Sequence, residues 1–104
     1  MTPTQLTLRH LRANGWPLVA VVEHWNPHAR IRQDLFGFGD VIALRRDETL
    51  LVQATSAPNV SSRVNKIADH PNVGHVREAG WRIFVYGWTK RKGRWVLARE
   101  VDVS

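Results

Sequence analysis

At 104 residues the chain is long enough for one domain, spanning 1–104, and too short for two independent cores. Without cysteine it has no disulfide, thiolate metal site or cysteine nucleophile, and no apolar run nears the roughly 20 residues of a membrane-spanning helix. Lys and Arg number 15 against 9 Asp and Glu, and the resulting net charge of +6 favours a polyanionic partner such as nucleic acid.

The N-terminus lacks a signal-peptide pattern, so the expected location is cytoplasmic. Thr2-Pro3-Thr4-Gln5 is a helix start: Thr2 can cap, Pro3 suits the first turn, and Gln5 completes a capping box. Leu8 and Leu11, with Leu6 and Ala13 nearby, form the apolar stripe, and Gly15 is placed to end the helix. Trp16-Pro17 then opens an apolar run from Leu18 that reads as a buried strand continuing to Trp25. Asn26 to Gln33 is polar and turn-rich and reads as a loop. Asp40 to Leu44 is the second strand, Arg45 to Glu48 a polar turn, and Thr49 to Thr55 the returning strand of an antiparallel hairpin.

Asn59 is placed to cap a helix carrying Val60, Val64, Ile67 and Ala68 at helical spacing, closed by Pro71. A short helical turn over Val73 to Ala79 ends at Gly80. Arg82 to Thr89 and Trp95 to Val103 form a second hairpin around the basic tip Lys90, Arg91, Lys92 and Arg94. Along the first of these strands Phe84, Tyr86 and Trp88 share one face, and Ile83 and Val85 the other. The predicted order is α-β-β-β-α-(α)-β-β, an α/β fold with a mixed sheet flanked by helices.

The chemistry concentrates between Asp40 and Thr55. A strand aspartate beside a neighbouring strand that bears an amide sets two oxygen ligands together, as a hard divalent cation such as Mg²⁺ requires. The candidate ligands are Asp40, Gln53 and the carbonyl of Ala54. Gln53 interrupts the apolar run Leu50-Leu51-Val52, and a polar group there has to be paired or bind something. Each residue also has an ordinary use: Asp40 as a strand start, Gln53 as a hydrogen-bonded edge residue, Thr55-Ser56 as a strand end. Glu23-His24 with His28 four residues beyond His24 has a zinc-like spacing but runs out of a strand into Asn26-Pro27 rather than along a helix, His70 and His75 are split by Pro71, and Gly37-Phe38-Gly39 lacks the Lys-Ser/Thr of a phosphate loop. Trp81, Trp88 and Trp95 are candidates for stacking on unpaired bases or for the core.

The order helix, Gly-Trp, strand, Asp-led strand, hairpin, Gln-x-Thr strand and basic helix resembles the PD-(D/E)xK nuclease superfamily over nearly all of Thr2 to Trp88. In size it is similar to archaeal-type Holliday-junction resolvases, VRR-NUC domains and short phage-encoded nuclease-like proteins. The resemblance implies a restriction-endonuclease-like αβββα(α)ββ core and metal-dependent phosphodiester cleavage, with Mg²⁺ or Mn²⁺ as cofactor and DNA as partner. Asp40 matches the strand aspartate that binds metal, Gln53 the first position of the (D/E)xK element, and Thr55 the lysine. Thr55 carries no charge, and no acidic residue occurs in Thr4 to Asn14 where the family often has a glutamate. Lys66 or Arg63 would then replace the lysine, and Glu23 or Asp34 would supply the missing carboxylate. Arg30, Arg32 and the Lys90–Arg94 tip would hold the phosphate backbone, and analogy suggests a homodimer. The alternatives are a catalytically degenerate form of the fold that binds DNA, or a protein-interaction module.

Overall fold

In the computed structural model, which describes residues 1–104, helix α1 spans Pro3–Ala13 and starts as its sequence requires. The Gln5 N–H donates to the Thr2 hydroxyl at 3.2 Å, and the Thr2 N–H donates to the Gln5 side chain at 3.1 Å. Leu6, Thr7 and Leu11 form its buried face. The chain leaves through Asn14 and Gly15 into strand β1, Leu18–Val21.

Here the structure departs from the expected strand Leu18 to Trp25. Strand β1 stops at Val21, and a separate two-stranded ribbon follows: β2, His24–Asn26, pairs antiparallel with β3, Ile31–Gln33. The segment Asn26 to Gln33 is therefore a turn plus a strand rather than a loop. Its turn is closed by the Asn26 side chain, which accepts from the His28 and Ala29 N–H groups at 3.0 and 3.2 Å, while Arg30 takes a left-handed φ of +55°. The last bond that ties this run to the sheet is Val22 N–H to the Asp40 carbonyl at 2.9 Å. Beyond it the chain swings off the sheet with Glu23.

Strands β4, Val41–Arg45, and β5, Glu48–Ser56, form the predicted hairpin. A short 3-10 turn, Ala57–Asn59, leads into α2, Val60–Ala68. Asn59 does not cap this helix, because the 3-10 turn has already placed it in helical conformation and its amide donates to Ser56 Oγ instead, at 2.9 Å. Helix α3 spans Val73–Glu78. Strands β6, Arg82–Arg91, and β7, Arg94–Asp102, run further into the basic tip than expected, so that Lys92 and Gly93 make the turn.

The main sheet is mixed and five-stranded, in the order β1-β4-β5-β6-β7. Only β5 and β6 pair in parallel, and the α2–α3 crossover supplies the long connection that such a pair needs. Alternation along β6 sorts its side chains as predicted. Tyr86 joins Leu11, Trp16, Val41 and Val52 under α1, while Ile83 and Val85 join Leu51, Val60 and Ile67 under α2 and α3. The α1 layer is pinned by a buried bond from Trp88 Nε1 to Thr7 Oγ1 at 3.0 Å, which places Trp88 in the core rather than on a binding surface. The crossover lies close against β6 at Gly87, where a Cβ would stand 2.3 Å from Val60 Cγ2 and 3.0 Å from the Ala57 backbone. No helix is long and apolar enough to cross a membrane.

Candidate metal centre and its groove

Asp40 sits at the mouth of β4, fixed on both sides by its backbone. Its carbonyl accepts from Val22, and its N–H donates to the Val52 carbonyl at 2.9 Å. The side chain is only 4% exposed. Its Oδ2 accepts from the Gln53 Nε2 and from the Ala54 N–H, each at 2.8 Å. The hairpin register thus brings Asp40 against Gln53, as the sequence suggested, while Ala54 takes part through its amide N–H.

Two further carboxylates reach the same point from outside the sheet. Glu23 comes from the break between β1 and β2, and Asp34 from the residue after β3, so the ribbon missed by sequence reasoning is what delivers both. One oxygen from each of Glu23, Asp34 and Asp40 lies within 4.8 Å of the others. Burial pushes the Asp40 carboxyl up from 3.8 to about 8, and proton sharing with Asp34 and the negative charges of Asp34 and Glu23 push it the same way; the Ala54 N–H opposes them only in part. Without a cation, the cluster is eased by holding a proton.

The donor set fits a divalent cation. Gln53 is 3% exposed, and its Oε1 has no hydrogen-bond partner, although its amide nitrogen is held on Asp40. A buried acceptor left unpaired costs about 1–3 kcal/mol, and this one belongs to the residue whose amide nitrogen is held on Asp40. Carboxylate and amide oxygens with no nitrogen or sulfur suit Mg²⁺ or Mn²⁺.

Of the cations considered from sequence, Arg32 pairs with the cluster and Lys66 lines the groove that Asp34 shares. Arg32 Nη1 is 3.6 Å from Glu23 Oε1. Lys66, from α2, lines an open groove of about 430 Å³ together with Arg32, Asp34, Phe36 and Asn72. Thr55 is buried two residues beyond Gln53 and brings no charge. Arg63 does not line this groove. Arg30 stands exposed in the β2–β3 turn, and Arg94 of the basic tip lines a different groove, with Arg9 and His10 of α1 and with Trp95.

Sequence reasoning missed Phe36, in the turn between Asp34 and Asp40. That turn is closed by reciprocal bonds between Leu35 and Gly39 at 2.8 and 2.9 Å. Phe36 and Gly37 within it take left-handed φ angles of +56° and +93°. The neighbouring Gly37 and Gly39 were the available signal for a tight turn. In comparisons with protein-family models, curated proteins and solved structures, nothing matches the chain.

Proposed function

We propose that the protein is a divalent-metal-dependent nucleic-acid phosphodiesterase on a restriction-endonuclease-like core. One observation carries the reading: the Glu23, Asp34 and Asp40 carboxylates converge, and Asp34 opens their cluster onto a groove bearing Lys66 and Arg32. The sequence of α1, the antiparallel strands β1, β4 and β5, the α2 crossover and parallel β6 supports the same reading. The net charge of +6 suits a phosphate backbone as ligand.

Glu23, Asp34, Asp40 and Gln53 would hold the cation. Bound Mg²⁺ or Mn²⁺ lowers the pKa of a coordinated water and offsets charge developing on a phosphoryl group. Asp34, half-buried and lining the groove, would take a proton from the attacking water. The Lys66 ammonium supplies the positive charge that Thr55 lacks and would bind a non-bridging phosphate oxygen. Arg32 pairs with Glu23 until a phosphate competes for it.

The test is cleavage of single-stranded, branched and duplex DNA in Mn²⁺ and in EDTA. Activity is expected only with metal, and Lys66→Ala is expected to lower it by about 100-fold, as for loss of one preorganised donor. Equal cleavage by wild type and Lys66→Ala would remove the lysine from the reaction. Mn²⁺ uptake in calorimetry without cleavage of any substrate would favour the second reading, a catalytically silent DNA-binding form, which the uncharged Thr55 supports.

A further inference from the structure

Beyond the carboxylates, the groove changes character. Past Phe36 and Asn72 it continues into an apolar recess of about 330 Å³, lined by those two residues and by His75, Val76, Ala79 and Trp81. The polar and apolar parts share Phe36 and Asn72, and Asp34 belongs to both the polar part and the carboxylate cluster. A single path therefore leads from the cation site, past Lys66, to a pair of aromatic rings.

Phe36 is presented to that path by its backbone. It is 44% exposed, and its φ of +56° is a conformation that bulky side chains rarely adopt. The loop is held there by Asn72, whose side-chain amide donates to the Phe36 carbonyl at 3.0 Å. The Phe36 ring stands 5.8 Å from that of Trp81 at an interplanar angle of 54°. Asn72 and His75 add polar groups at the rim that can meet the edge of a planar ligand.

We propose that this recess captures an unpaired base of the strand whose phosphate lies at the carboxylate cluster, so that the substrate class is single-stranded nucleic acid or an unpaired stretch within a larger structure. Aromatic side chains stack on the face of any base, whereas in a duplex those faces are covered by neighbouring base pairs. The positive groups at one end and the aromatic pair at the other match a phosphate and a base of one chain. The placement of the phosphate rests on the function proposed above; the stacking does not.

The experiment measures binding without divalent metal, by fluorescence anisotropy of a labelled oligothymidylate, of the same strand annealed to its complement, and of an abasic strand of equal length. Wild type is expected to bind the oligothymidylate tightest. Phe36→Ala is expected to weaken that binding roughly five- to 150-fold, as for one lost stacked base, with little change for duplex or abasic strand, and Phe36→Trp to restore it. Equal affinity for the oligothymidylate and the abasic strand, or an unchanged dissociation constant in Phe36→Ala, would overturn the proposal. Mn²⁺ titration of wild type and Phe36→Ala separates the two ideas: matched uptake shows the variant is intact, so that a lost strand affinity reports stacking. If neither takes up Mn²⁺, the nuclease reading fails while the binding result still decides the base recess.

Discussion

Replacing Asp40 by Asn is expected to abolish divalent-metal binding and to cut metal-dependent cleavage by more than about 100-fold, the upper range for losing a ligand's outer-shell support. The same change is expected to make the metal-free protein more stable at pH 8. The sign follows from the raised carboxyl. In the unfolded chain this group ionises near 3.8, and in the fold burial pushes it up to about 8. Below both values it is protonated in both states and costs nothing. Between them the unfolded chain gives up its proton while the folded protein keeps it, so stability falls as pH rises through that window. Asn retains an acceptor for the Ala54 N–H and carries no charge, so the variant escapes the loss. Urea unfolding at pH 5 and pH 8 without metal checks this, because the gap between variant and wild type should widen with pH. A constant gap would mean that Asp40 is not held protonated by its surroundings. Metal acts in the opposite direction, stabilising wild type by about 2.7 kcal/mol at a concentration 100 times the dissociation constant.

Phe38→Ala is expected to cost about 3–5 kcal/mol, the range for emptying a buried aromatic site. Domains of this kind have only about 5–15 kcal/mol in hand. Phe38 is fully buried, packs with Leu51, Val60 and Ile67, and meets the His70 ring edge-on at 5.4 Å. It is also the anchor of the turn that carries Asp34 and Asp40, so metal affinity of the remaining folded protein should fall with it. Chemical denaturation and Mn²⁺ titration measure the two effects separately. Phe36→Ala, two residues away on the solvent side of the same turn, should leave the unfolding midpoint nearly unchanged. A similar loss in both variants would mean that the turn is not divided into an anchor and a presented ring.

What could be read from the sequence was what short-range chemistry decides. The Thr2–Gln5 box, the β4–β5 hairpin and the two faces of β6 each depend on residues a few positions apart, and each appears as expected. Gln53 was visible as a polar interruption in an apolar strand, and its unpaired Oε1 gives that interruption a physical meaning. The ribbon of β2 and β3 was hidden because its strands are three residues each and mostly polar, so neither alternation nor an apolar run marks them. Without the ribbon, Glu23 and Asp34 were only spare carboxylates. Their convergence on Asp40 depends on where the chain leaves the sheet at Val22, which no local spacing records. Trp88 illustrates the reverse: an aromatic considered for base stacking is tied into the core by Thr7, from the far end of the chain.

The left-handed backbone at Phe36 sets stability against use at a single position. A non-glycine residue in such a conformation costs about 1–3 kcal/mol, and Gly or Asn would sit there more easily. In a library varied at position 36 and selected for heat resistance alone, Gly and Asn should accumulate. Selected for capture of an unpaired strand, the same library should return aromatic residues, and the two winners would differ in the property each was not asked to keep.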